Sequence, residues 1–218
     1  MTPTQLEQSL SPQPTPPNER GYEYDLVIVG GGIIGLTLAS ALKDSGLSVL
    51  LIEAKVASAA VAKGQAYAVH KLSSLIYEGI GVWDKILPQI AKYCRVRLSD
   101  ADYPNVVEFT TDDINTAELG YVAEHQALLQ PLQEFVQDCP NVTYLCPAEV
   151  VNTRYQQNIV AIDIKVADQL RTVRSKLVVA ADGSRSPIRQ AAGIKTSGWK
   201  YWQSCIVAFV KPEKPHNN

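Results

Sequence analysis

The sequence lacks the features that mark membrane-spanning, nucleic-acid-binding and disulfide-bonded proteins. No apolar run reaches the roughly 20 residues that a transmembrane helix requires. The net charge is −2 and no basic cluster is present, so the charge pattern does not indicate nucleic-acid binding. The cysteines are far apart without a CxxC pair, so we expect unpaired thiols, a reducing cytoplasmic compartment and no metal site. They are Cys94, Cys139, Cys146 and Cys205.

Acid–base and nucleophilic groups are also scarce. The histidines (His70, His125 and His216) are scattered, and no nucleophile–base pair is visible, so the sequence identifies no catalytic residue. The first twenty residues are rich in Pro, Ser, Thr and Gln and lack the apolar core of a signal peptide. We therefore predict a disordered tail over residues 1–22, followed by a globular chain of ordinary composition.

The beginning of the globular part has the pattern of a βαβ unit. Residues 25–29 and 48–52 are short apolar runs, which predict parallel strands buried on both faces. Between them, Leu36, Ala39 and Leu42 recur at helical spacing, and Gly46 is placed as a C-cap.

The middle of the chain alternates between helical and strand-like patterns. Leu72, Leu75, Ile76 and Ile80 predict a helix interrupted by glycines. A later helix should carry its apolar face on Leu128, Leu132 and Phe135. Pro131 costs this helix about 3 kcal/mol unless it lies in the first turn or kinks the helix.

The last third is predicted to be rich in strands. The runs "EVVNTRY", "VAIDIKVA" and "LRTVRSK" indicate a three-stranded antiparallel meander. "KLVVAADG" is predicted to be a further, buried strand that ends in a loop, and "WQSCIVAFV" another strand.

A glycine motif stands between the first strand and its helix. Gly30, Gly32 and Gly35 form GxGxxG, in which the first glycine allows a tight turn and the second lets backbone amides approach a pyrophosphate. The third lets the helix pack closely on the strand, and the positive end of the helix stabilises the phosphates. Glu53 ends the second strand, where its carboxylate can accept hydrogen bonds from both ribose hydroxyls and would repel a 2′-phosphate. The sequence therefore predicts a site for an ADP moiety, which FAD and NAD share.

A second motif favours FAD. Asp182 and Gly183 follow an apolar strand, and Ser186 with Pro187 predicts the N-cap and first residue of a short helix. An Asp-Gly turn is common in proteins, but its position after a βαβ unit and a meander fits a flavin site.

The order of the motifs adds a resemblance to a family. GxGxxG, the glutamate, "GVWDKI", "LGYVAEHQALL", "AADGSRSPIRQAAGI" and "GWKYWQ" follow one another over about residues 23–216. In this order the chain resembles the FAD-dependent aromatic hydroxylases of ubiquinone biosynthesis, the 2-octaprenyl-6-methoxyphenol hydroxylase type. The resemblance implies an α/β fold: a Rossmann-like FAD-binding domain (residues 23–65 and 121–195) with part of a smaller β-sheet substrate domain (residues 66–120 and 196–218).

The resemblance also implies cofactor-binding positions. The family often has arginine in a "GRA" stretch where "GQAYAV" places Gln65, so a positive charge is lost there. The position that reaches the flavin from the following helix corresponds to His125, although a lone histidine is equally consistent with ordinary packing or exposure. The predicted cofactor-binding set is Gly30, Gly31, Gly32, Ile33, Gly35, Glu53, Ala54, Gln65, His125, Val150, Asp182 and Gly183.

The activity implied by the resemblance is hydroxylation of a small aromatic, prenylated phenol or quinone precursor. NAD(P)H reduces the FAD, and dioxygen supplies the oxygen atom. Such substrates reside in membranes, so peripheral membrane contact is a hypothesis. Four aromatic residues are candidates for an apolar substrate site or, alternatively, for ordinary packing. They are Trp83, Trp199, Tyr201 and Trp202.

Family members extend well beyond this length, and their second flavin-contacting Gly-Asp segment has no counterpart here. We expect an N-terminal portion that is inactive by itself and binds FAD weakly or not at all. Two alternatives stay open: an NAD(P)-dependent Rossmann oxidoreductase, and a nucleotide-binding piece without catalysis.

Overall fold

The computed structural model describes residues 21–55 and 65–204 together with Glu213. The predicted tail lies outside these residues, apart from Gly21 and Tyr22. The chain divides into two compact units, one of residues 1–57 and 136–192 and the other of residues 58–135 and 193–218. In chain order the elements are β1 Tyr24–Val29, α1 Ile33–Ala41, β2 Val49–Ile52, β3 Ala66–His70, α2 Lys71–Ile80, α3 Trp83–Ile86, β4 Ala91–Tyr93, β5 Arg95–Asp100, β6 Tyr103–Thr110, β7 Gly120–Glu124, α4 His125–Gln137, β8 Val142–Leu145, β9 Glu149–Tyr155, β10 Val160–Val166, β11 Gln169–Ala180 and α5 Pro187–Ala191.

The first unit is built on one sheet with the strand order β8–β2–β1–β11–β10–β9. β8, β2, β1 and the end of β11 pair in parallel. β9, β10 and the beginning of β11 form the predicted antiparallel meander. Ser175 is the pivot, because it pairs with Val160 of the meander and with Tyr24 of β1. The prediction of two separate strands here is wrong: no turn residue interrupts the run, and β11 is continuous over 12 residues.

The meander covers one face of the parallel strands. A single buried cluster joins Val27 and Leu50 of the parallel strands to Ile162 and Val173 of the meander. α1 packs against β1 and β2, and its Leu36 is fully buried. Burial of each such side chain is worth roughly 1.5–3 kcal/mol. The parallel strands are therefore held between a helix and a second layer of strands.

The strand "KLVVAADG" is less buried than predicted. Leu177 is 57% exposed, and Val178 and Val179 are only partly buried. The prediction treated the strand as internal to a doubly covered sheet. α1 packs against β1 and β2, which precede β11 in the strand order of the sheet.

α1 ends before its predicted C-cap. The helix stops at Ala41, and Gly46, at φ +72°, lies in the loop that follows. The amide of Asn141 instead donates to the carbonyls of Leu42 and Leu47, at 2.8 and 2.9 Å. A side chain 99 residues away in the chain therefore satisfies the exposed end of this helix.

The second unit has a three-stranded antiparallel sheet, β3–β7–β4, and the separate hairpin β5–β6. α2 is confirmed as a helix, which Gly81 ends at φ +91°. Its apolar residues do not form the buried face, since Leu72 is 70% exposed while Ser74 and Tyr77 are buried. Tyr77 stacks on Trp83, whose ring meets Tyr121 edge-on at a centroid distance of 5.0 Å.

α4 follows β7 directly and keeps Pro131 in its interior rather than in its first turn. Leu128 and Leu132 are buried as predicted, and Phe135 is partly buried. Most of the final predicted strand lies outside the described residues, and Trp202–Ser204 are not in a strand. Within residues 21–55 and 65–204, each helix is too short or too polar to span a bilayer.

Candidate nucleotide site at the carboxyl edge of the parallel sheet

Three neighbouring parallel strands end at the same edge of the first unit. β2 ends before Glu53, β1 before Gly30, and β11 before Ala181 and Asp182. β1 lies between β2 and β11, with Val29 opposite both Ile52 and Ala180. Ligands of open α/β sheets bind outside the carboxyl ends of the strands. The topology thus brings the two sequence motifs, about 150 residues apart in the chain, to neighbouring strand ends.

Gly30 makes the turn out of β1. Its φ of +111° is strongly unfavourable for any residue with a Cβ, and a Cβ there would overlap the carbonyl of Ala181. The Gly30 amide donates to Ile52 at 2.8 Å, and the Ala181 amide donates to Val29 at 2.7 Å. The loop is therefore fastened to the strands on either side.

The other two glycines of the motif have different surroundings. A Cβ on Gly35 would overlap the carbonyl of Gly30, so α1 packs directly on the glycine loop. A Cβ on Gly32 would meet no atom within 4 Å. The approach to the beginning of α1 is open at Gly32, where Ile33 starts the helix and its first-turn amides lack intrahelical partners. This open space beside positively polarised amides fits a diphosphate.

Glu53 is held by backbone amides. Its Oε2 accepts from Gly31 at 2.7 Å, and its Oε1 accepts from Lys55 at 2.8 Å. Each carboxylate oxygen has a second lone pair, so both can still accept from a ligand. The Glu53 carbonyl accepts from Ala148 at 2.7 Å, which ties the beginning of the meander to this point. The carboxylate is thus oriented in advance for a pair of hydroxyls.

Asp182 carries an unsatisfied atom. Its Oδ2 accepts weakly from Ile188 at 3.3 Å, while its Oδ1 is buried and has no hydrogen-bond partner among the described residues. A buried carboxylate oxygen without a partner is costly, which is consistent with a ligand donor completing it. Ser186 caps α5 as predicted, accepting from Arg189 at 2.9 Å, and Gly183 has φ +93°.

Two further predicted positions are Ala54 and Val150. Ala54 follows Glu53 and is exposed. Val150 lies in β9 opposite Ile164, and its side chain packs against the buried cluster. The Val150 side chain is therefore part of the core of the first unit.

Gln65 and His125 belong to the second unit and lie together there. The His125 amide donates to the Gln65 carbonyl at 2.7 Å where β3 pairs with β7. His125 is 6% exposed, so the packed alternative holds for its side chain. Its Nδ1 lies 3.0 Å from the hydroxyl of Tyr67, which in turn donates to Gln65 Oε1 at 3.2 Å.

Sequence reasoning missed two tyrosines, Tyr67 beside Gln65 and His125 and Tyr144 beside Gly31. Tyr67 is the second residue of β3 and stands two residues after Gln65, which directly precedes the strand, so the period of two of an extended chain predicts both on one face. That signal was available in the sequence. Tyr144 has no such signal: its hydroxyl is 3.0 Å from where a Cβ on Gly31 would lie, because β8 pairs with β2.

The remaining candidates do not gather into a site. Among the described residues no group of three or more His, Cys, Asp or Glu could hold a metal ion. Cys94, Cys139 and Cys146 are thiols rather than disulfide sulfurs, and burial raises the pKa of Cys139. The Trp83 side chain is buried in the core, whereas Trp199, Tyr201 and Trp202 are 72–85% exposed.

The family follows from a match along most of the chain. A family model described as an FAD binding domain matches residues 23–216. The chain belongs to the FAD binding domain family. Its Rossmann-like fold, with a βαβ unit and a meander, is confirmed by this match and by the sheet described above.

Several curated relatives resemble the chain. An uncharacterized Synechocystis protein is 40% identical over 195 residues, covering 89% of this chain and 47% of the relative. The ubiquinone hydroxylase UbiL of Rhodospirillum rubrum is 31% identical, with 88% and 44% covered. The 3-demethoxyubiquinol 3-hydroxylase of Escherichia coli is also 31% identical, with 87% and 49% covered. The chain spans less than half the length of each of these relatives.

Solved structures share the fold. The p-nitrophenol 4-monooxygenase PnpA of Pseudomonas putida DLL-E4 superposes with a TM-score of 0.70 at 20% identity, over 80% of this chain and 45% of that one. The flavin-dependent monooxygenase PieE, solved with FAD and substrate, superposes with a TM-score of 0.67 at 23% identity, over 81% and 33%. At these identities the likeness concerns the fold alone.

Proposed function

We propose that the chain is the FAD-binding portion of a monooxygenase that hydroxylates the ring of a phenol or quinone precursor. NAD(P)H is proposed as the electron donor and dioxygen as the source of the oxygen atom. The observation that carries the proposal is the Glu53 carboxylate, fixed by the Gly31 amide beside an open helix N-terminus. Membership of the FAD binding domain family identifies the nucleotide.

The residues present fit FAD in three places. The amides around Gly32 and Ile33 would receive the diphosphate, and Glu53 the ribose of the ADP half. Asp182 Oδ1 would accept from a hydroxyl or N–H group of the ligand. Bound FAD would supply the redox chemistry, while the chain supplies position and charge complementarity. Gln65 and His125, the cofactor-binding residues predicted in the second unit, stay predictions.

The substrate class rests on the relatives. Two of them are named for ubiquinone and 3-demethoxyubiquinol hydroxylation. A prenylated phenol or quinol is therefore the proposed substrate, with peripheral membrane contact where such molecules dissolve. Flotation with lipid vesicles that contain ubiquinone tests that contact, and a chain that stays unfloated contradicts it.

Two competing functions share the proposed ADP site. One is nucleotide binding without hydroxylation, in a chain that spans less than half the length of its relatives. An NAD(P)-dependent oxidoreductase would use the same ADP half and the same Glu53. The three functions differ in which nucleotide reaches Asp182 and in whether oxygen is consumed.

A titration followed by backbone amide NMR tests the nucleotide assignment. We expect ADP, NADH and FAD to shift the amides of Gly31, Gly32 and Glu53, and FMN to leave them unchanged. Only FAD should also shift Asp182 and Gly183. Glycine amides that ADP does not shift would contradict the ADP site, and NADH that shifts Asp182 as FAD does would favour the dehydrogenase.

A chimera tests the activity. The 194 residues of the Escherichia coli relative that match this chain are replaced by their counterparts here. We expect retained flavin and NAD(P)H-dependent oxygen uptake that 3-demethoxyubiquinol stimulates. A chimera that retains flavin without stimulated uptake would contradict the proposed substrate, and one that folds without flavin would contradict the cofactor.

A further inference from the structure

Gly31 is the one glycine of the loop that the GxGxxG pattern does not require. Its φ lies outside the left-handed range that favours glycine, so the turn itself does not exclude a side chain there. Its neighbours do. A Cβ on Gly31 would lie 2.7 Å from Glu53 Cβ, 3.2 Å from Glu53 Cγ and 3.0 Å from the hydroxyl oxygen of Tyr144. Non-bonded carbon atoms prefer a separation of about 3.5–4.0 Å. The space for a side chain at position 31 is therefore already filled.

Strand pairing brings Glu53 and Tyr144 to this space. Tyr144 lies opposite Leu51 where β8 pairs with β2, and the Glu53 amide continues the ladder by donating to Leu145 at 2.9 Å. Because side chains two residues apart on an extended chain share a face, Glu53 lies on the face of Leu51 and Tyr144. The hydroxyl oxygen of Tyr144 is buried there. The backbone of Glu53 is fixed, since its carbonyl also accepts from Ala148 at 2.7 Å.

The packing at position 31 bears on the Glu53 carboxylate. Without a side chain on Gly31, the Glu53 stem lies against the loop and its Oε2 accepts from the Gly31 amide at 2.7 Å. A methyl group at this position would have to displace either the Glu53 stem or the loop. Either movement separates the carboxylate from the amide, so the carboxylate loses the contact that orients it.

We propose that Gly31 and Tyr144 are positioning residues for the Glu53 carboxylate, and that residue 31 thereby determines how strongly the site rejects a 2′-phosphate. The inference rests on the proposed function, in which Glu53 binds the ribose of the ADP half. A carboxylate held against the loop accepts from a free 2′-hydroxyl and repels a phosphate on that oxygen. A displaced carboxylate does neither, whereas the first-turn amides of α1 still receive the diphosphate.

Hydrogen exchange of the amide of residue 31 tests the positioning without any nucleotide. In the wild-type chain the hydrogen bond to Glu53 should protect this amide, and Glu53→Ala should remove the protection. Gly31→Ala should accelerate the exchange by about tenfold once the intrinsic rates of the two residue types are corrected for. An amide that is as well protected in Gly31→Ala as in the wild type would overturn the proposal.

Titrations with ADP and 2′-phospho-ADP test the specificity. Gly31→Ala should weaken ADP binding by about tenfold and the binding of 2′-phospho-ADP by much less, so the ratio of the two affinities falls. A general loosening of the glycine loop would weaken both ligands equally, and that result would overturn the role of residue 31 in specificity. Tyr155→Phe, at a tyrosine of the same unit that is 45% exposed, is the control and should keep both affinities.

Tyr144→Phe tests the second positioning residue, also in the case that Gly31→Ala does not fold. The variant keeps the ring and removes the hydroxyl, so the Glu53 stem gains space and the ratio of the two affinities should fall by about two- to threefold. Adding Gly31→Ala to this variant should cost less ADP affinity than Gly31→Ala costs in the wild-type chain. The comparison uses Tyr144→Phe as its own baseline, so other contacts of the hydroxyl cancel. An unchanged ratio together with equal costs in both backgrounds would exclude Tyr144.

The two kinds of measurement separate this inference from the proposed function. A wild-type chain that binds neither ADP nor 2′-phospho-ADP contradicts the proposed function. Amide exchange then decides the positioning by itself. Protection that is lost in Gly31→Ala as it is in Glu53→Ala supports the positioning, and protection that Gly31→Ala retains contradicts it.

Discussion

The carboxylate of Glu53 accepts a hydrogen bond of 2.7 Å from the backbone amide of Gly31, 22 residues earlier in the chain. The side chain that would bind the ribose therefore also fastens the glycine loop. Ribose binding and the geometry of the glycine loop therefore both depend on Glu53. Variants of Glu53 have to separate these two effects.

Replacing Glu53 tests the ribose assignment. Glu53→Ala should weaken ADP binding by about 1–3 kcal/mol, because ribose hydroxyls and the Gly31 amide both lose an acceptor. Glu53→Gln keeps one acceptor and removes the negative charge that would repel a 2′-phosphate. The ratio of the affinities for ADP and 2′-phospho-ADP should therefore decrease. Calorimetric titrations of both ligands measure this. Glu134→Gln, at an exposed glutamate, is the control, and an unchanged ADP affinity in Glu53→Ala would remove Glu53 from the site.

Two helical glycines make a matched pair for the packing of α1. Gly35→Ala should lower the free energy of unfolding by about 1–3 kcal/mol, because its methyl group overlaps the Gly30 carbonyl. Gly79→Ala in α2 meets no atom within 4 Å and should raise it by about 0.5–1 kcal/mol. Urea unfolding followed by circular dichroism gives both values. Equal effects of the two substitutions would contradict the close packing at Gly35.

Asn141 is expected to stabilise the end of α1. Asn141→Ala leaves the carbonyls of Leu42 and Leu47 without their side-chain donor and should cost about 1–2 kcal/mol of unfolding free energy. Asn158→Ala, in the exposed turn between β9 and β10, serves as the control and should change stability little. Thermal unfolding of both variants checks the difference. A loss as large at Asn158 would remove the special role of Asn141.

The meander has a carboxylate whose contribution depends on pH. Asp163 accepts from Arg154 at 2.9 Å and from Thr172 at 2.7 Å, and these hydrogen bonds hold its pKa well below the ordinary range. A carboxyl group whose folded pKa is depressed stabilises the fold above its unfolded pKa of about 3.9, and this stability is lost as the pH falls towards the folded pKa. Asp163→Asn should therefore be less stable than wild type at neutral pH, with a difference that shrinks between about pH 5 and about pH 3.

Urea unfolding across that range measures the difference. Asp102→Asn, in the exposed turn of the β5–β6 hairpin, is the matched control and should show no such pH dependence relative to wild type. A constant difference between Asp163→Asn and wild type would mean that the charge of Asp163 does not stabilise the meander.

The sequence by itself determined the local geometry of the candidate nucleotide site. Gly30, Gly35 and Glu53 act through local geometry: a turn that requires positive φ, a contact too close for a Cβ, and a carboxylate at a strand end. The meander was equally readable, because the strands alternate and are separated by short polar turns. Such features depend on neighbours within a few residues or on one supersecondary unit.

Only the tertiary structure decided which distant groups meet. The Asn141 side chain, rather than Gly46, caps the end of α1. β11 continues from the meander into the parallel sheet. The Tyr67 hydroxyl contacts His125, 58 residues away in the chain. Periodicity gives the face on which a side chain lies but not the element that packs against that face. The burial of Ser74 in place of Leu72 shows the same limit, since a helix pattern alone does not say which side the rest of the fold will cover.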